Sequence, residues 1–189
     1  VIFTGSGTTA AVDKLIGILG LRIPADLDRS WHLSDQIPPA SRPVVLIGPY
    51  EHHSNELPWR ESIADVVPIR ATPAGQIDLE HLEAELVAHA DRPLRIGSFS
   101  AASNVTGLLS DTRAVTRLLH RHDALACWDF AAAGPYLDID MDDVAAPKDA
   151  VFLSPHKFIG GPGTPGVLAV RRSLVHNSVP VVPGGGTVR

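Results

Sequence analysis

The chain has 189 residues, the size of one domain with a core of its own. Its 16 basic and 21 acidic residues leave a net charge of −5, which argues against a broad nucleic-acid or anionic-membrane face. With 44% hydrophobic and 20% charged residues the composition excludes a disordered chain. No run approaches the roughly 18 uninterrupted apolar residues of a membrane span, and no signal-peptide pattern opens the sequence, so a cytoplasmic protein is expected. Cys127 is the only cysteine, which rules out an internal disulfide and a Cys-x-x-Cys zinc site.

The elements follow in chain order. Short apolar, β-branched runs at residues 1–4, 43–48, 65–70, 94–100, 124–129, 150–154 and 166–170 predict strands covered on both faces. Between them lie segments of helical period. Residues 8–19 predict a first helix. Asp78 caps a second, with Leu79, Leu82 and Leu86 as its buried stripe, and residues 111–122 form a third around Ala114, Val115, Leu118 and Leu119. Residues 20–42 read as one long irregular connection. The alternation predicts a three-layer α/β/α fold with a mostly parallel sheet. The opening Val1-Ile2-Phe3 already reads as a strand, and residues 181–187 end in a loop, so a fragment incomplete at both ends is expected.

In open parallel sheets, ligands bind beyond the carboxyl ends of the strands, and four loops there carry unusual residues. The first is Thr4-Gly5-Ser6-Gly7-Thr8-Thr9, where hydroxyls and free backbone N–H groups at a helix start suit a phosphate, or simply form a capped turn. It lacks the full Gly-x-Gly-x-x-Gly and Walker patterns. The second, Tyr50 to Asn55, places His52 where an imidazole could stack on a flat ligand, bind a metal, act as a base or cap the next helix. A metal is not expected: zinc needs three convergent ligands, and His120 and His122, two apart on a helix, point in different directions.

The third loop follows Cys127-Trp128-Asp129. Burying Asp129 costs several kcal/mol unless it meets a cation or hydrogen-bond donors, so it either caps the following turn or pairs with a ligand cation. Cys127 reads as a small core residue, because nothing near it lowers a thiol pKa. The fourth runs from Ser154 through Pro155, His156 and Lys157 to Gly163. The chain has only three lysines, Lys14, Lys148 and Lys157, and Lys157 alone stands at a strand end in a Gly/Pro-rich turn. A lysine held among apolar groups and other cations can form a Schiff base; alone it would read as a solvated turn residue.

These motifs, taken together and in order, resemble the large, cofactor-binding domain of the class V aminotransferase family of pyridoxal phosphate enzymes, fold type I. They are Gly7-Thr8-Thr9, Glu51 to Asn55 with Pro58-Trp59, Ser103 to Gly107, Asp129, Ser154-x-His156-Lys157 with Gly160 to Gly166, and Gly184-Gly185-Gly186-Thr187. The resemblance is strongest to the cysteine desulfurase and selenocysteine lyase branch and covers nearly the whole chain. It implies that residues 1–189 are a cofactor-binding large domain without its N-terminal segment and its C-terminal small domain. It implies that Lys157 holds the cofactor as a Schiff base and carries the substrate proton, and that Asp129 pairs with the pyridine N–H. His52 would stack on the ring and assist proton transfer, and Asn104 would lie near its phenolic oxygen. Thr8, Thr9, Ser154 and His156 would receive the phosphate. Thr187 would reach the cofactor of a neighbouring subunit, which implies a homodimer.

The implied reaction is conversion of L-cysteine to L-alanine with sulfur passed to a thiol, and an acceptor protein for that sulfur. Other readings are another class V aminotransferase or pyridoxal phosphate lyase, a catalytically silent fragment, and a nucleotide-binding protein built on the Gly5-Ser6-Gly7 loop. Against the last, the second strand ends Ile47-Gly48-Pro49 with no acidic residue to meet a ribose. Two departures from the desulfurase pattern stand out: Ala132 occupies the position of a cofactor-contacting Gln, and the persulfide-forming Cys and substrate-binding Arg belong to a part of such enzymes beyond this chain.

Overall fold

The β-branched runs and the helical segments separate in space as they do in sequence. A computed structural model describes residues 1–184, in the order β1 (Ile2–Phe3), α1 (Gly7–Ile18), α2 (Ala25–Trp31), β2 (Val44–Ile47), α3 (Leu57–Arg60), β3 (Asp65–Pro68) and α4 (Leu79–Ala88). There follow β4 (Arg95–Ser100), α5 (Thr112–Arg121), β5 (Leu125–Asp129), β6 (Ala150–Leu153) and β7 (Val167–Val170). The strands form one seven-stranded sheet ordered β1-β7-β6-β5-β4-β2-β3. The neighbours from β3 to β6 pair in parallel, while β7 runs antiparallel to both β6 and β1. The chain therefore adopts the expected α/β fold with a mostly parallel sheet.

Strand alternation sends side chains into two cores. Leu46, Phe99, Trp128 and Val151 pack under α4 and α5, whereas Val45, Ile47, Cys127 and Phe152 pack under α1 and Trp59. Each large apolar side chain so buried contributes about 1.5–3 kcal/mol before the entropy of ordering it is subtracted. Parallel pairing brings the carboxyl ends of β2, β4, β5 and β6 to one edge, with Ser100 beside Asp129 and Asp129 beside Phe152. The chain leaving β1 returns there as α1. Among the described residues, no helix is long and apolar enough to cross a membrane.

Four expectations need correction. Residues 20–42 are not simply irregular, because they hold α2, whose seven residues bury no side chain and so present no apolar stripe to detect. Leu79 is 38% exposed at the first turn of α4, leaving Leu82 and Leu86 as the buried contacts. In α5 the buried stripe holds Thr116 in place of the half-buried Ala114, since Thr116 Oγ1 accepts a 2.9 Å hydrogen bond from Trp128 Nε1 inside the core. Two-sided cover also fails at the sheet edge, where β3 is only half-buried.

That indole bond provides a test of the packing. Thr116→Val keeps the shape but leaves a buried N–H unpaired, so urea unfolding followed by tryptophan fluorescence should show a loss of about 1–3 kcal/mol.

Candidate functional site

At the carboxyl edge of the sheet, backbone hydrogen bonding stops and the side chains of the loops take over. Ser6, the residue before α1, adopts an extended conformation and makes no side-chain cap, and the first turn holds no acidic residue. The helix thus meets the sheet edge with its positive end uncompensated. Gly7 has φ +57°, and a Cβ there would stand 2.8 Å from His156 Cε1, so only glycine allows the turn and its closeness to the imidazole. The Thr8 N–H donates to Ser154 Oγ at 2.9 Å, joining the helix start to the end of β6. The Thr8 and Ser154 hydroxyls lie 3.0 Å apart. Thr9 Oγ1 donates to Ser54 Oγ at 2.7 Å, tying the same turn to the loop after β2.

Asp129 ends β5 at 4% exposure. Its Oδ1 accepts the Ala131 N–H at 2.7 Å and the Thr8 hydroxyl at 3.2 Å. Burial pushes its carboxyl above the ordinary value, against these two donors and the nearby Lys157 and His52 side chains. The His52 Nδ1 accepts the Ser54 N–H at 3.1 Å, so the neutral ring carries its proton on Nε2. Lys157 follows in the single 3-10 turn Pro155–Lys157, with an exposed side chain.

These groups surround one cavity of about 290 Å³. Of the residues singled out in the sequence, Thr8, Thr9, His52, Asp129, Ser154, His156 and Lys157 all line it. Asn104 does not; it is exposed in the loop after β4. Thr187 lies outside the described residues. A more open groove of about 750 Å³ adjoins the cavity, sharing Ser6, Thr9 and Ser54 and continuing over Leu57 and Pro58. Cys127 is fully buried in the sheet and its thiol is pushed well above its usual value by that burial, as a core residue requires.

One residue of the site went unweighed as a functional group in the sequence reading. Glu51 tucks its carboxylate beneath the loop, accepting from Ser100 N at 2.8 Å, Ser100 Oγ at 2.6 Å and Asn55 Nδ2 at 2.7 Å. Burial pushes it up to about 7, opposed by those three donors. The available signal was an acid a few residues beyond the end of a fully apolar strand, in a loop that folds back on the sheet.

The edge therefore offers an anion cradle at a helix start, a buried acid able to face a cation, and an accessible amine, all on one cavity. A sequence model of the Aminotransferase class-V family matches residues 34–189, and the chain belongs to that family. It is 36% identical over 150 residues to a probable cysteine desulfurase of Chlamydia muridarum, covering 76% of this chain and 35% of that protein. It is 30% identical over 149 residues to probable cysteine desulfurase 2 of Mycobacterium leprae, covering 77% and 34%. The chain thus spans about a third of the length of these relatives. Two solved structures share the fold: cysteine desulfurase from Thermococcus onnurineus NA1, with TM-score 0.73 and 20% identity over 100% of this chain and 42% of that one, and alanine–glyoxylate aminotransferase from Nostoc sp., with TM-score 0.66 and 21% identity over 92% and 40%.

The Ser154 hydroxyl is the joint between α1 and β6. Ser154→Ala removes the acceptor of the Thr8 N–H, and the expected loss is about 1–3 kcal/mol in urea unfolding.

Proposed function

We propose that this chain carries the cofactor half of a pyridoxal 5'-phosphate enzyme that acts on an amino acid, with L-cysteine desulfuration as the reaction. The observation that supports the reading is the buried Asp129 carboxylate on the same small cavity as the Lys157 amine and the start of α1. The residues suit the cofactor. Gly7, Thr8, Thr9, Ser154 and His156 would hold its phosphate, Asp129 its ring nitrogen, His52 its ring face and Lys157 its carbonyl carbon, with Asn104 assigned to its phenolic oxygen from the family pattern. When bound, the cofactor supplies an electron sink for the pair left at the substrate α-carbon.

The protein's own groups do the rest. Asp129 keeps a proton on the facing ring nitrogen by giving it a charged acceptor, and that pairing offsets the desolvation of the carboxylate. The Lys157 Nζ moves the proton at the α-carbon. His52, with its proton on Nε2, is placed to hold a proton over the opposite face. The sulfur balance is that of cysteine and a thiol RSH going to alanine and RSSH. Buried Cys127 is not that thiol, so the acceptor comes from elsewhere in the whole protein or from an acceptor protein. A homodimer, with Thr187 reaching the neighbouring subunit's site, and residence in the cytoplasm complete the proposal. Residues 1–189 would be the large domain. Similarity to an alanine–glyoxylate aminotransferase keeps amino transfer as the second reading.

Borohydride treatment with pyridoxal phosphate should place a stable label on the peptide containing Lys157; label on Lys14 or Lys148 would overturn the assignment. L-cysteine with a reductant should yield alanine and sulfide from the protein that carries this chain. Release of a keto acid without sulfide would select the second reading. Asp129→Asn should lower turnover about 100-fold or more while the label on Lys157 remains.

A further inference from the structure

Glu51 is a half-buried acid at the sheet edge that the proposed chemistry leaves without a task. Its carboxylate is built in from three sides. Gly48 leaves room for it, since a Cβ there would collide with Glu51 Oε1. Ser100 grips it with a backbone and a hydroxyl donor, and Asn55 adds a third. The network continues inward: Ser98 Oγ donates to Asn55 Oδ1 at 2.7 Å, and Trp59 Nε1 donates to Ser98 Oγ at 3.1 Å. The segment carrying His52 is thus locked to β4 through groups that are all satisfied. Ser100 is also the register neighbour of Asp129, so β4 stands between the loop after β2 that carries Glu51 and the strand that carries Asp129.

We propose that Glu51 is a positioning residue of this site: it clamps the His52 segment to β4 and, as a second acid within electrostatic reach of Asp129, strengthens binding of a cationic ring. The proposal rests on the cofactor reading above. The titratable groups facing Glu51 are Asp129 from β5 and Tyr50 on its own segment, with His52 and Lys157 acting on the pair through Asp129.

The sign follows from the raised value. Glu51 moves from 4.5 to about 7 on folding, so its stabilising contribution is complete below 4.5 and is lost as pH rises toward 7. A ring cation reverses that cost by favouring the ionised form. Affinity for the ring therefore rises with pH across the same window, and binding expels a proton.

The probe is pyridoxine 5'-phosphate, which has the ring and phosphate but no aldehyde to react with Lys157, measured against inorganic phosphate. The ratio of the two affinities isolates the ring. From about pH 6 to about pH 8 the ratio should rise roughly three- to tenfold in the native protein and stay flat in Glu51→Gln. Ser100→Ala keeps the acid but deletes a donor, so the midpoint should move to higher pH; this variant decides the matter if Glu51→Gln does not fold. An unchanged ratio profile in Glu51→Gln, or an unmoved midpoint in Ser100→Ala, overturns the proposal and leaves Glu51 a purely structural residue. Failure of the native protein to bind pyridoxine 5'-phosphate at any pH overturns the cofactor reading and the proposal with it. Urea unfolding of ligand-free protein separates the two cases, because the fall in stability between pH 4.5 and about 7, smaller in Glu51→Gln where the raised Asp129 still contributes, reads Glu51 without any ligand.

Discussion

Asp129 must be buried, because it ends a strand with both faces covered, and it must still be a carboxylate if it is to meet a cation. Water cannot stabilise it there, so the protein supplies the donors, and each donor fixes a piece of the architecture. The Ala131 N–H bends the chain sharply after β5. The Thr8 hydroxyl reaches Asp129 only if α1 begins at the carboxyl edge of β5 and β6, and that placement is held by the bond from Thr8 N–H to Ser154. Gly7 follows from the same demand, since any side chain at that position would strike His156. One desolvated charge thus accounts for the helix start, the serine after β6 and the glycine between them.

A second buried aspartate shows what the protein does when no ligand is involved. Asp149 precedes β6 at the opposite end and accepts the Ala126 N–H at 2.8 Å, with His120 Nε2 at 2.8 Å and the cationic Arg171 guanidinium at 3.3 Å as further partners. Its charge is neutralised within the chain. Among the described residues Asp129 has only neutral donors in contact, both of them on Oδ1, while the neighbouring Lys157 and His52 line the cavity it faces. Asp149 is closed off by a cation of its own chain, whereas Asp129 meets neutral donors at the wall of a polar cavity. Glu51, in the loop after β2, likewise meets three neutral donors and, among the described residues, no cation in contact.

The parts of this design that show in the sequence are those governed by local rules. Apolar runs announce all seven strands, Asp78 and Asp111 announce the helices that they cap through His81 N and Ala114 N, and a lysine in a glycine-rich turn draws the eye. Asp129 is legible because a carboxylate closing an apolar run poses a question of energy, even before its partners are known. Glu51 poses the same question but sits beside His52 and His53, whose chemistry is more conspicuous. Its answer lies in Ser100, 49 positions away. No periodicity links the two, because the contact exists only once β4 has been laid beside β2 by way of β3. Thr116 hid for the same reason: its polar side chain looks exposed until Trp128, from the neighbouring strand, brings an N–H that needs an acceptor. What sequence rules miss here is buried polar pairing across strands, and at this sheet edge such pairing positions His52, Asp129 and the start of α1.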